Sequence, residues 1–226
     1  MSIEYKVVRT NRKTVAIYVR DGGVEVRAPM KAPQHHIDRF VESKKKWIED
    51  CLAKTAERAE RRDAFSLNYG DMVRYRGKEY PITIKQGEYI GYTDGEFYMP
   101  PGFTPEEIKR AVVEIYRMLA KRDLTIKTIY LASIMDVEPI SIKVSNAKTR
   151  WGSCSGKKRI NFSWYLIMAD DALIEYVVVH ELAHLLEMNH SELFWNIVEK
   201  VLPDYRIRRL RLKDLQKTIS NENWET

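Results

Sequence analysis

Cysteine is scarce in this 226-residue chain, which carries only Cys51 and Cys154. Two thiols cannot build a disulfide framework, and they fit a reducing compartment as buried side chains. No apolar run approaches the about 18 residues that a membrane-crossing helix needs. The opening Met1-Ser2-Ile3-Glu4-Tyr5 has neither the basic nor the apolar region of a secretory signal, so the expected location is the cytoplasm. Internal repeats and low-complexity tracts are also missing. Hydrophobic residues make up 44% and charged residues 31%, which excludes a disordered or fibrous chain and suffices for a core.

Acidic residues are absent from one long stretch. None occurs between Pro139 and Ala169, where Lys143, Lys148, Arg150, Lys157, Lys158 and Arg159 all lie. A second excess runs from Lys200 to Lys217, where seven basic residues oppose Asp204 and Asp214. The formal net charge is +6, so the distribution matters more than the total. Basic stretches at 143–159 and 200–217 attract nucleotides or nucleic acid, or else form solvated faces.

The first hundred residues read mostly as strands. Tyr5–Val8 and Val15–Val19 precede Asp21-Gly22-Gly23 and then Val24–Arg27, which predicts a hairpin. Arg76-Gly77 and Asp94-Gly95 mark two further turns. A long helix is expected from about 33 to 62, with Ile37, Phe40, Val41, Ile48, Cys51 and Leu52 on its apolar face. Pro100-Pro101-Gly102 suggests a boundary, dividing a region 1–100 from a region 101–226. Thr104, Pro105 and Glu107 then read as a capping box opening a helix whose buried stripe is Ile108, Val112, Ile115, Tyr116 and Leu119. Strands are expected at 140–144 and 160–164. The fold class is α+β: a strand-rich amino-terminal half with one long helix, then a mainly helical half.

Histidines are few, yet three of the five fall at positions 180, 184 and 190. Asp171 can cap a helix running through Leu186. On it, His180 and His184 are four residues apart and face one metal ion together. Glu181, rotated by about 100°, can reach a water on that metal and act as its general base. A catalytic zinc takes three protein ligands and keeps one open position, so a third ligand is needed.

His190 is the first candidate. Continued helix would turn it about 240° away from His184, so the helix must stop between them. Asn189 tolerates a left-handed stop, and Ser191 with Glu192 can start a new helix. Glu199 is the alternative third ligand. Cys154 as a fourth would close the site. A structural reading also stands: a buried helix whose histidines bond backbone carbonyls. His35 and His36 read as surface residues, and Tyr165 and Tyr205 either donate to a reacting oxygen or pack.

The segments Asn146–Ser155, His180–His184, Asn189-His190-Ser191 and Phe194-Trp195 together resemble the YgjP-like family of predicted zinc metallopeptidases, related to the SprT-like metalloproteases. The resemblance implies a zincin-like domain, Zn2+ held by His180, His184 and His190, and Glu181 as catalytic carboxylate. The ligand spacing is shared with metzincin proteases, but Glu187 stands where they place glycine and no methionine follows His190.

Arg150, Trp151 and Gly152 either line the cleft or pack structurally. Lining it, Arg150 is an electrophilic or phosphate-binding group and Gly152 a close-approach backbone position. The leading expectation is a zinc hydrolase acting on a peptide or protein substrate, with no membrane partner. Two alternatives remain. One is hydrolysis of a nucleotide phosphoanhydride at the same metal, and the other is a nucleic-acid-associated module with a structural metal whose Arg206–Arg211 helix tracks phosphates.

Overall fold

A computed structural model describes residues 3–20 and 22–225. Met1 and Ser2, and Asp21 of the expected first turn, lie outside them. The backbone groups into two units, Met1–Phe65 with Ser220–Asn223 and Ser66–Ile219 with Trp224–Thr226. The architecture is mixed α+β, with strands concentrated early and helices late.

In the first unit, β1 (Lys6–Thr10), β2 (Ala16–Arg20) and β3 (Gly23–Pro29) form a sheet in the order β1-β3-β2. The β2–β3 pair is antiparallel, as the hairpin reading requires, whereas β1 runs parallel to β3. Alternation along β3 buries Val24, Val26 and Ala28 against Ile37, Val41 and Ile48. The single helix expected at 33–62 is corrected: α1 (Gln34–Ser43) and α2 (Lys45–Asp63) are separated at Lys44, with φ −108° and ψ 9°. Ser43 Oγ donates to the Phe40 carbonyl at 2.7 Å and Lys44 N–H bonds Val41 O at 3.0 Å. Such local bonds compete with the helical ladder, and apolar periodicity alone does not register them. His35 and His36 are exposed, as expected.

The second unit opens with β4 (Met72–Tyr75), β5 (Lys78–Ile84), β6 (Gly91–Thr93) and β7 (Glu96–Met99), in the order β4-β5-β7-β6. Both expected hairpins form. Arg76-Gly77 and Asp94-Gly95 take positive φ at both residues, the pattern of a two-residue type I′ turn. The β4–β5 turn docks on later chain, because Arg76 N–H bonds Ile167 O at 2.9 Å and Gly77 N–H bonds Met168 O at 3.2 Å. These strands therefore group with the residues that follow them, in the unit that begins at Ser66.

Helix α3 (Pro105–Ile134) begins with the expected capping box, Thr104 Oγ1 accepting from Glu107 N–H and Glu107 Oε2 accepting from Thr104 N–H. Its predicted stripe of Ile108, Val112, Ile115, Tyr116 and Leu119 is buried. A second sheet has β8 (Ser141–Ser145), β10 (Arg159–Ser163) and β9 (Gly152–Cys154) in the order β8-β10-β9. A short 3-10 turn, Trp164–Met168, is wholly buried and leads into α4 (Asp171–Ala183), α5 (Glu192–Val201) and α6 (Tyr205–Ile219).

The start of α4 is held firmly. Its N-cap is Asp170, not Asp171: the Asp170 carboxylate accepts from Leu173 N–H at 3.1 Å. Asp171 instead takes the Arg76 guanidinium at 2.8 Å. A Cβ on Gly77 would stand 2.6 Å from the Asp170 Cβ, so only glycine lets the β-turn seat there. No helix among the described residues is long and apolar enough to cross a membrane.

Replacing Thr104 by Ala removes one half of the capping box. The expected cost is about 1 kcal/mol, read as a lower urea midpoint with unchanged slope for the transition reported by the α3 aromatics.

Candidate metal centre

Helix α4 is buried around most of its circumference, with Val177, Val178, Val179, Leu182 and Ala183 all in the core. A buried helix positions side chains with little freedom. From it His180 and His184 project one turn apart, their ring centroids 5.0 Å from each other. The helix ends at Ala183 and His184 is its C-cap in right-handed geometry, one turn earlier than the Leu186 expected from composition.

The reversal toward His190 is built differently from the expectation. Leu186 and Glu187 N–H both close on Ala183 O, at 3.0 and 2.9 Å. The Glu187 carboxylate then accepts Asn189 N–H at 3.0 Å. Asn189 is not among the residues with positive φ, so a side-chain bracket replaces the predicted left-handed stop. Ser191 caps α5 as predicted, accepting from Phe194 N–H at 3.3 Å.

The turn brings His190 back. Its Nε2 lies 3.1 Å from His180 Nε2, and one ligand atom from each of the three histidines falls within 4.8 Å of the others. Tetrahedral zinc with Zn–N bonds of about 2.0–2.1 Å separates its ligands by about 3.3 Å, so the closest pair already has ligand spacing. His184 Nδ1 meets Glu187 O at 3.1 Å, which leaves Nε2 for the other rings and gives the backbone bond that orients metal-binding imidazoles. His180 Nδ1 is buried without a hydrogen-bond partner.

Electrostatics point the same way. Burial, then the neighbouring histidines and Arg209, hold His180 down to about 3. Burial also lowers His184. Neutral imidazoles with free lone pairs are the form that binds a cation. The donor set and its spacing thus fit a divalent metal.

Phe194 forms the floor. It is fully buried, and its ring centroid lies 4.9, 4.5 and 4.8 Å from those of His180, His184 and His190. Trp195 stacks on His190 at 5.7 Å and on Tyr205 at 5.2 Å. Helical spacing marks Phe194 as a core residue but gives no sign that its core is three imidazoles.

Glu181 is 5% exposed, and burial pushes its carboxyl up to about 7, with Arg150 opposing the rise. It packs on β9: a Cβ on Gly152 would lie 2.6 Å from Glu181 Oε1 and 2.7 Å from its Cγ. The close-approach reading of Gly152 therefore has a named partner. Arg150 is exposed and near enough to act on Glu181 through its charge. Cys154, on the same strand, has its thiol pushed up to about 11 by burial and by Glu181, so it stays protonated.

The other candidates are engaged by partners of their own. Glu199 is engaged by Arg206 at 2.6 Å. Tyr165 is buried and stacked on Trp164, and Tyr205 on Trp195. The 200–217 stretch is largely matched by acids outside it or within it: Arg208 with Glu175 and Asp204, Arg211 with Asp170, Lys217 with Asp214. In the other stretch, Lys148 pairs with Glu225.

The family described as YgjP-like, metallopeptidase domain, matches residues 13–215 of this chain. No curated protein matches it. Among solved structures, the metallopeptidase zymogen abylysin of Pyrococcus abyssi is 23% identical over 44% of this chain and 97% of its own, with a TM-score of 0.38. The metallopeptidase zymogen jannalysin of Methanocaldococcus jannaschii is 25% identical over 43% of this chain and 99% of its own, also with a TM-score of 0.38. With the family match spanning most of the sequence, the chain belongs to the YgjP-like metallopeptidase-domain family and is a metal-dependent hydrolase.

Proposed function

We propose that the chain is a zinc-dependent peptidase in which His180, His184 and His190 hold the metal and Glu181 is the general base. One observation carries the reading: three imidazoles converge at ligand spacing, with the buried carboxylate of Glu181 on the helix that presents His180. Three imidazoles are a donor set suited to zinc. The bound cation supplies Lewis acidity, polarising a carbonyl oxygen and acidifying water.

The protein's own groups do the rest. Glu181, with its proton affinity raised by burial, takes the proton from the attacking water and returns it to the leaving amine. The aromatic floor and wall of Phe194 and Trp195 exclude bulk water and keep local electrostatics strong. Arg150, whose charge acts on Glu181, steadies negative charge developing on the carbonyl oxygen.

An extended substrate also has a place to lie. β9 is the edge strand of its sheet. Ser163 N–H bonds Trp151 O and Ser155 N–H bonds Arg159 O. Antiparallel alternation then turns the backbone groups of Gly152 and Cys154 away from β10. A peptide adding there as a further strand would pass directly over Glu181. This favours a peptide over a nucleotide. The acids that match Arg206, Arg208 and Arg211 likewise weaken the case for a helix tracking a phosphate backbone.

Glu181→Gln is expected to keep one zinc per chain and lose about 10²- to 10⁴-fold in kcat on a peptide. His184→Ala loses both metal and turnover. Metal analysis beside a peptide assay reads both, and an active Glu181→Gln protein would remove the mechanism.

Gly152→Ala drives a methyl into the Glu181 carboxylate. Displacement of the base by about 1 Å lowers kcat about 10²-fold with zinc content unchanged. An unaltered kcat would show that this contact does not hold the base.

A further inference from the structure

Helix α6 carries four arginines in six residues, and three are matched by carboxylates. Arg206 meets Glu199 at 2.6 Å, Arg208 meets Glu175 at 2.6 Å and Asp204 at 2.9 Å, and Arg211 meets Asp170. Arg209 is different. Among the described residues it has no carboxylate partner and no hydrogen bond; its guanidinium instead lies over the Trp195 ring, Cζ 5.1 Å from the centroid.

That ring is part of the metal centre. Trp195 is 5.7 Å from the His190 ring and 5.9 Å from the His180 ring, centroid to centroid. Arg209 acts on His180 and on Tyr176 through its charge, so its field reaches the metal side of α4. Stacking on an indole leaves the edge N–H groups of a guanidinium free and holds their plane in place. Arg150, whose charge acts on Glu181, sits in the loop before β9.

We infer that Arg209, braced on Trp195, is the receptor for a substrate carboxylate beside the scissile bond, which makes the enzyme selective for acidic peptides. The inference rests on the peptidase reading and adds the substrate class to it. A flat guanidinium with free edge donors accepts a carboxylate in bidentate fashion. Its separation from the histidines, at most two ring spacings, places that carboxylate within about three residues of the cleaved bond in an extended chain at about 3.3 Å per residue. The carboxylate could be a Glu or Asp side chain or a free carboxy terminus.

The test uses zinc-loaded Glu181→Gln protein, which binds without cutting, and titrates matched peptides by calorimetry. One pair differs by Glu against Gln at successive positions around a fixed bond, and a second pair ends in a free or an amidated terminus. Loss of the carboxylate at one position is expected to weaken binding about 10- to 100-fold. Adding Arg209→Gln should abolish that discrimination with zinc content and helicity unchanged, and Arg209→Glu should reverse it toward Lys. Discrimination in the first pair identifies a side-chain subsite, and discrimination in the second identifies a terminal-carboxylate subsite. Equal discrimination with and without Arg209 overturns the assignment, as does wild-type cleavage of peptides regardless of their charge, which leaves the peptidase reading standing. Failure of zinc-loaded wild-type protein to cut any peptide in the series overturns the peptidase reading itself.

Discussion

The whole centre depends on stopping one helix in time. Two imidazoles at i and i+4 share a helix face, but they form only half of a tetrahedral shell. The third can arrive only if the chain turns back within six residues. It does so through the Ala183 carbonyl, which gathers two successive amides, and through the Glu187 side chain, which takes Asn189 N–H while the Glu187 carbonyl engages His184. One residue thus shapes the turn with its side chain and orients a ligand with its backbone.

Around that turn, packing does the electrostatic work. Burial lowers His180 and His184 and raises Glu181, so one apolar shell acts on the imidazoles and the carboxylate together. The shell has distinct parts. Phe194 supports all three rings from below. β9 presses on Glu181 from the side, and the glycine at 152 is what allows it so close. The start of α4 is fixed from outside by the β4–β5 turn, through Gly77 and Arg76.

How far the residues alone disclosed this follows from range. The histidine pair, the capping box at Thr104 and the cap at Ser191 are written in spacings of three or four residues, and such local geometry is readable directly. The strand pairs at Arg76-Gly77 and Asp94-Gly95 were readable for the same reason, since the turn chemistry is local. Reading failed where two local options compete. Ser43 back-bonds and splits the long helix, Asp170 outcompetes Asp171 as cap, and Glu187 supplies the bracket assigned to Asn189. Contacts across the fold leave no local mark. Nothing near Gly152 in sequence names Glu181, and nothing in the Arg206–Arg211 run tells which three cations find acids and which one finds an indole.

Zinc K-edge absorption of the loaded protein reports directly on what surrounds the metal. Three imidazole nitrogens and one further light atom, all at about 2.0–2.1 Å, are expected, with one imidazole lost in His190→Ala. A sulfur neighbour at about 2.3 Å, or a spectrum that His190→Ala leaves unchanged, would contradict the arrangement.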